Sequence, residues 1–150
     1  MNSNMEISVH GYREDLKKSF KSKMEANVAR YYEYLKINWF YEPREYKFDK
    51  IKRGTLYYKP DFYLAVPTRL LIEVKGWFRR VDKIKLKRFK KYYPEEFSRL
   101  RFIIPDKYAK SKSNGEQIQF LCDVLKIDFN EIISYKEIEK VGKLVIPNWE

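Results

Sequence analysis

The chain is short of the residues that carry much metal and redox chemistry: 150 residues contain one cysteine, Cys122, and one histidine, His10. One cysteine excludes a disulfide framework and any multi-cysteine zinc module. Cys122 itself, beside Leu121 in a helical run, reads as a small buried apolar residue. One histidine excludes chemistries that need two imidazoles, such as HExxH hydrolysis or an HxH metal site; His10 is assigned no role. No apolar run reaches the roughly 18 residues of a membrane span. The N-terminus has no signal-type apolar stretch either, so the expectation is a cytoplasmic protein with no membrane partner. There is no internal repeat and no low-complexity linker. What is present is a chain 44% hydrophobic and 17% aromatic, which excludes disorder despite its charge. Its length suits one domain with its own core.

The net charge of +11 comes from 32 Lys and Arg against 21 Asp and Glu. It is segregated. Residues 115–150 hold four Lys and seven acids, a net of −3, so the first 114 residues carry +14. Residues 75–91 carry nine bases, from Lys75 to Lys91, against Asp82 alone: +8 in seventeen residues. Such density destabilises a compact monomer by self-repulsion, and a polyanionic partner relieves it. Segregation favours nucleic acid over a merely solvated Lys-rich surface. The basic stretch is not flanked by an exposed apolar face, which argues against an anionic membrane.

Along the chain, residues 1–21 read as a basic polar arm with some helical character. Ser22-Lys23-Met24-Glu25 is a capping box. The stripe Met24, Val28, Tyr31, Leu35 then predicts a helix ending near Ile37. Trp39 to Phe48 is extended and aromatic, interrupted by Pro43, an edge strand or a bend. Gly54 marks a turn. Leu56 to Val66 reads as a second strand with an irregularity at Pro60, and Pro67-Thr68 as a tight reversal. Arg69 to Lys75 is a third strand, ended by Gly76. Residues 81–93 form a helix with Val81, Ile84, Phe89 and Tyr92 on one face and Lys83, Lys87, Lys90 and Lys91 opposite. Leu100 to Ile104 is a fourth strand, stopped by Pro105. Lys110 to Gly115 reads as loop, Glu116 to Leu125 as helix, and the tail stays ambiguous. The expected class is α/β: an α-β-β-β-α-β order on a mixed sheet flanked by helices, with a C-terminal helical tail.

The third strand holds carboxylates that an interior strand should not have. Side chains alternate, so Glu73 and Lys75 share a face, about 7 Å apart at the backbone. An ionised carboxylate buried there needs a nearby cation, and Lys75 alone would make a structural ion pair. Asp61 changes the reading. A two-residue loop pairing Val66 with Arg69 sets Asp61 opposite Val74, away from Glu73. A three-residue loop or one bulge sets it opposite Glu73 or Lys75 on the shared face. Pro67, with φ fixed negative, fits the primed two-residue turns poorly, which favours the odd-length loop. Two acids and a lysine then converge in basic surroundings, an arrangement suited to a divalent cation and phosphate chemistry. Glu25 is a third candidate acid, although a capping box explains it locally.

Pro60-Asp61, eleven residues, then Glu73-Val74-Lys75, preceded by a helix carrying Glu25, resembles the PD-(D/E)XK nuclease superfamily. Small phage-type and archaeal-type Holliday junction resolvases look closest. They share the length, the early helix glutamate and the Lys-rich helix after the motif. The resemblance covers roughly residues 20–105. It implies a restriction-endonuclease-like core over 22–105 in a single nuclease domain, with 1–21 as arm and 106–150 as C-terminal extension. It implies that Asp61 and Glu73 ligate Mg²⁺ or Mn²⁺ with the Val74 carbonyl, and that Glu25 holds a second metal or its water shell. Lys75 would position or deprotonate the attacking water and stabilise charge on the phosphate. The implied reaction is metal-assisted phosphodiester hydrolysis, in the cytoplasm, or a host's cytoplasm for a phage-encoded protein.

For DNA binding, Arg79, Arg80, Lys83, Lys87, Lys90 and Lys91 are expected to track phosphates beside the site. Lys17, Lys18, Lys21 and Lys23 would add a second contact from the arm. Trp77 and Phe78 either stack on bases or pack into a core or a dimer interface. Symmetric cutting of a four-way junction needs two active sites, hence a C2 homodimer. Tyr57, Tyr58, Phe62 and Tyr63 are candidates for its interface or equally for the core. Two alternatives stand beside the resolvase: a nicking, restriction or recombination-associated nuclease of the same superfamily, and a DNA-binding module without catalysis. Asp61 speaks against the last, because an extra acid there repels phosphate.

Overall fold

The computed structural model describes residues 10–150; the first nine residues of the expected arm lie outside the described residues. The rest of that arm is not helical. Gly11–Arg13 (β1) and Lys18–Phe20 (β2) pair antiparallel, with Gly11 opposite Phe20. Phe20 points into the core while Lys18 and Ser19 face solvent. Ser22 caps α1 (Lys23–Tyr34) as its sequence predicts, its hydroxyl accepting the Glu25 N–H at 3.1 Å. The helix stops short of Ile37 because Lys36 takes a left-handed φ of 59°. All six residues from Glu25 to Arg30 are buried, more than one stripe, since α1 lies between the sheet and a second helix.

Both long extended runs break in two. The first becomes β3 (Trp39–Tyr41) and β4 (Tyr46–Lys47), the second β5 (Tyr57–Tyr58) and β6 (Phe62–Leu64). Pro43 and Pro60 sit at the breaks, where a residue without an N–H cannot continue a ladder. β4 and β5 leave the main sheet and pair as a small ribbon. After β7 (Leu71–Val74) come α2 (Arg80–Tyr92), a short α3 (Pro94–Ser98) and β8 (Leu100–Ile104). The stretch expected as loop instead opens α4 (Lys112–Gln119), because Ser111 accepts the Asn114 N–H and caps it. A π-helical turn, Phe120–Val124, extends α4. The ambiguous tail resolves into β9 (Ile133–Ser134) and α5 (Tyr135–Val145).

The main sheet runs β3-β6-β7-β8-β9, antiparallel from β3 to β7 and parallel from β7 to β9. β7 is buried on both faces. Leu71 packs with Leu86, Phe89, Phe97, Phe120 and Leu121 of α2, α3 and α4. Ile72 and Val74 pack with Val28 and Ala29 of α1 and Ile138 of α5. The protein is therefore α/β, a mixed five-stranded sheet flanked by helices. On α2 the buried stripe is Asp82, Leu86 and Phe89; of the expected apolar face Phe89 is buried, Ile84 and Tyr92 are half-buried, and Val81 alone is turned outward, 36% exposed. Trp77 and Phe78 part company: Trp77 is exposed and Phe78 is buried beside Phe102 and Phe120. Tyr58 and Phe62 belong to the core, which withdraws them from any interface, whereas Tyr57 is exposed. Cys122 is half-buried against the same core. Among the described residues, no helix is long and apolar enough to cross a membrane.

Residues 106–150 are not an appendage. They supply the fifth strand, and Glu150 joins Arg13 and Arg30, at 2.8 Å each, so that β1 and α1 are fastened together. Trp149 stacks on Tyr135 and lies over Gly142, where an added Cβ would stand 2.3 Å from the indole. Gly142→Ala should lower Tm by several degrees, since displacing the ring costs about 1–3 kcal/mol and outweighs alanine's helix advantage of about 1 kcal/mol. Thermal denaturation measures it; an unchanged or higher Tm would mean the ring is not fixed there.

Candidate active site

The loop between β6 and β7 decides which acids meet. Phe62 pairs with Ile72, Tyr63 with Leu71, and the Leu64 N–H reaches the Leu70 carbonyl at 2.8 Å. The loop is thus Ala65–Arg69, odd in length, and the register continued by one residue sets Asp61 against Glu73. Both acids line a cleft of about 270 Å³ at the C-terminal end of β7, together with Glu25, Val74 and Lys75. Asp61 reaches across the strands, its Oδ2 accepting the Val74 N–H at 2.7 Å. Glu73 Oε1 accepts the Tyr58 hydroxyl at 2.6 Å. Glu25, at the first turn of α1, accepts the Tyr41 hydroxyl on Oε1 and the Ser22 hydroxyl on Oε2, each at 2.7 Å.

Lys75 has a nearer partner than Glu73. Its Nζ lies 4.0 Å from Glu73 Oε2 but 3.1 Å from Asp82 Oδ1. Asp82 is buried at the third residue of α2, where its Oδ2 accepts the Arg79 backbone N–H at 2.8 Å. The Arg79 guanidinium lies 3.2 Å from the same oxygen. The start of α2 therefore presents a fixed anion to the lysine at the end of β7. Asp82 went unrecognised in the sequence as a site residue. The signal was there: one acid in a run of nine bases, three residues after the Arg79 that caps the helix.

Burial dominates the electrostatics. It pushes Asp61 well above the usual carboxylate range, reinforced by the charges of Glu73 and Glu25 against the Val74 N–H and Lys75. It raises Glu73 to about 7, although the Tyr58 hydrogen bond and Lys75 pull the other way. Tyr58 is raised well above 10 by burial and by Glu73, so it stays a hydroxyl donor. Burial opposes the charge on Asp82 too, yet Arg79 and Lys75 outweigh it and hold that carboxyl low. At the rim Lys21 pairs with Glu42 at 2.7 Å, and that hydrogen bond raises the ammonium's pKa. The cleft thus holds two crowded, desolvated carboxyls beside one well-satisfied ion pair.

That donor set suits a hard divalent cation, since oxygen ligands and excess negative charge are what such an ion neutralises. The set is not preassembled: among the described residues no three His, Cys, Asp or Glu side chains form a metal-holding group. Each acid is instead held by a protein donor, and Glu25 has both oxygens engaged. Val74 contributes its N–H, to Asp61.

The basic residues divide around this cleft. Lys21, Lys59, Arg79 and Lys85 line it; Lys59 and Lys85 were not singled out from the sequence. Lys17, Lys18 and Lys23 are exposed on the β1–β2 hairpin and at the head of α1, and Arg80, Lys87 and Lys91 are exposed on α2. Lys83 lies over the Phe120 ring, and the Lys90 ammonium donates to the Leu125 carbonyl at 2.6 Å. These two lean toward α4, outside the cleft lining.

Compared with family models, curated proteins and solved structures, the chain matches none.

Glu73 titrates higher folded than free, so its cost to stability is absent below about 4.5 and grows as pH rises to about 7. The metal-free protein should lose roughly 1–3 kcal/mol across that window. Glu73→Gln should therefore match wild type at pH 5 and exceed its Tm by several degrees at pH 8 in chelator. Added Mn²⁺ should close that gap by stabilising wild type alone; a gap independent of pH would contradict the assignment.

Proposed function

We propose that this chain is a metal-dependent DNA endonuclease of the PD-(D/E)XK kind, acting on branched DNA as a junction resolvase. The observation that carries this reading is the shared cleft: Asp61 and Glu73, from adjacent strands, face one space with Lys75 beside them. The order α1, β3, β6, β7, α2, β8 supports a restriction-endonuclease-like core. The surplus of +14 in residues 1–114 supports a polyanionic substrate.

Asp61 and Glu73 would hold Mg²⁺ or Mn²⁺, with Glu25 next to them and the Val74 carbonyl as a further oxygen. The bound ion would supply Lewis-acid polarisation of the phosphate and a more acidic water. The chain's own residues do the rest. Tyr58 fixes the rotamer of Glu73, and Tyr41 and Ser22 fix Glu25. Asp82 holds the Lys75 ammonium at the mouth of the cleft, where it neutralises charge building on the phosphate and orients the attacking water. Symmetric incision of a junction would require a C2 homodimer, and the work would be done in the cytoplasm. A second reading, a DNA-binding module without catalysis, draws on one observation: Lys75 is committed to Asp82 at 3.1 Å.

Incubation with a four-way junction, a nicked duplex and single strands, with and without Mg²⁺, separates these readings. The expected result is Mg²⁺-dependent cutting of the junction, reduced about 10²-fold or more by Asp61→Asn, Glu73→Gln or Lys75→Ala. Cutting that survives the first two substitutions would move the active site elsewhere. Junction binding with no cutting in Mg²⁺ or Mn²⁺ would establish the binding module.

A further inference from the structure

A second polar cavity, of about 370 Å³, opens at the other end of β7, lined by Arg44, Arg69 and Arg99 with Tyr63, Glu45 and Glu96 among its walls. The topology brings the three arginines there. Arg69 stands two residues before β7 and Arg99 immediately before β8. These strands are parallel, and the Leu71 N–H bonds to the Arg99 carbonyl at 2.9 Å, so the two side chains leave the same end of the sheet. Arg44 follows the Pro43 break, and its guanidinium stacks over the Tyr63 ring at 4.5 Å.

All three arginines are exposed, and among the described residues none of their guanidiniums is hydrogen-bonded or ion-paired to another side chain. That is unusual company for five-donor groups whose planar fork matches phosphate oxygens. Elsewhere Arg13, Arg30, Arg79 and Arg101 have carboxylate partners and Arg88 a backbone carbonyl; Arg53 and Arg80 are exposed without one, but neither shares a cavity with two further arginines. Here Glu45 and Glu96 line the same cavity without pairing, so three cations converge with their donors unused and two acids trim the net charge.

We infer that this arginine cavity is a binding site for a phosphodiester group, taking a backbone phosphate of the DNA whose reacting phosphate lies in the Asp61–Glu73 cleft. The inference deepens the nuclease reading and rests on it. Geometry links the two sites. Tyr63 and Leu71 lie on the same sheet face as Asp61 and Glu73, by the alternation of β6 and β7. The four residues of β7 span about 13 Å, which is about four steps of axial rise along one DNA strand. Between the sites runs the β4–β5 ribbon, Tyr46 in the wall of the arginine cavity and Tyr57 at the rim of the cleft. One strand of DNA crossing that ribbon would meet both.

The test uses the full chain and the double variant Arg69→Gln/Arg99→Gln, whose side chains hold nothing else in the fold and which should keep the wild-type Tm in phosphate-free buffer. Binding of a fluorescein-labelled junction, without divalent metal, is followed by anisotropy across a salt series. The double variant should bind about 10-fold more weakly and lose about 2 from the slope of log K against log salt. In parallel, inorganic pyrophosphate should raise the Tm of wild type and not of the double variant, and Glu96→Gln should enlarge the shift. Unchanged DNA affinity and slope in the double variant would overturn the inference and leave the nuclease reading intact. A wild type that binds no DNA would overturn both. An equal pyrophosphate shift in wild type and variant would mean general salt stabilisation, and the cavity would not be an anion site.

Discussion

A carboxylate on a strand with protein on both faces is the constraint from which the site follows. Leu71, Ile72 and Val74 make β7 an interior strand, and Glu73 is buried with them because the pleat allows it no other direction. A buried charge without compensation is not tolerated, so the surroundings of Glu73 are built to manage it. Tyr58 supplies a hydroxyl that cannot itself ionise in that place, and Lys75 supplies a cation at longer range. Asp82 anchors that cation, and Arg79 anchors Asp82. The chain of contacts runs from the middle of a sheet to the first turn of a helix, where an acid is also favoured by the helix dipole.

Much of this was legible from residue order. The β7 and β8 segments announce themselves through apolar runs bounded by Gly76 and Pro105, α2 through its helical spacing of apolar and basic residues, and α1 through its Ser22 cap. The facing of Asp61 followed from the chemistry of Pro67, which disfavours an even loop. What failed was whatever depended on distant partners. The β1–β2 hairpin is too short and polar to betray itself; it exists because Phe20 finds Tyr41 and Phe62, and because Glu150 holds Arg13. Pro43 and Pro60 mark the interruptions in the two extended runs, but the aromatics that continue past them give no sign that each proline divides its run between two sheets. The tail was opaque for the same reason: β9 is two residues long and acquires its identity only against β8. Asp82 was hidden by charge counting, which treats an acid among bases as dilution and not as a partner.

Tyrosine supplies much of the polar support. With thirteen tyrosines, the chain can place a hydroxyl at the far edge of an apolar ring where a buried group needs one. Tyr41 serves Glu25 and Tyr58 serves Glu73, while Tyr135 accepts from Asn27 beneath α1. Each ring also belongs to, or packs against, one of the two cores that sandwich the sheet. The acids of the cleft are therefore oriented by the same side chains that fill the interior.

The ribbon of β4 and β5 has a consequence out of proportion to its size. Two residues on each strand carry it, yet Tyr58 hangs from it, and with Tyr58 goes the proton that steadies Glu73. The sheet sets where that acid stands and burial raises it to about 7; the ribbon's Tyr58 draws it part of the way back toward the ionised form. The smallest sheet of the protein thus reaches the buried acid of β7 through a single phenol.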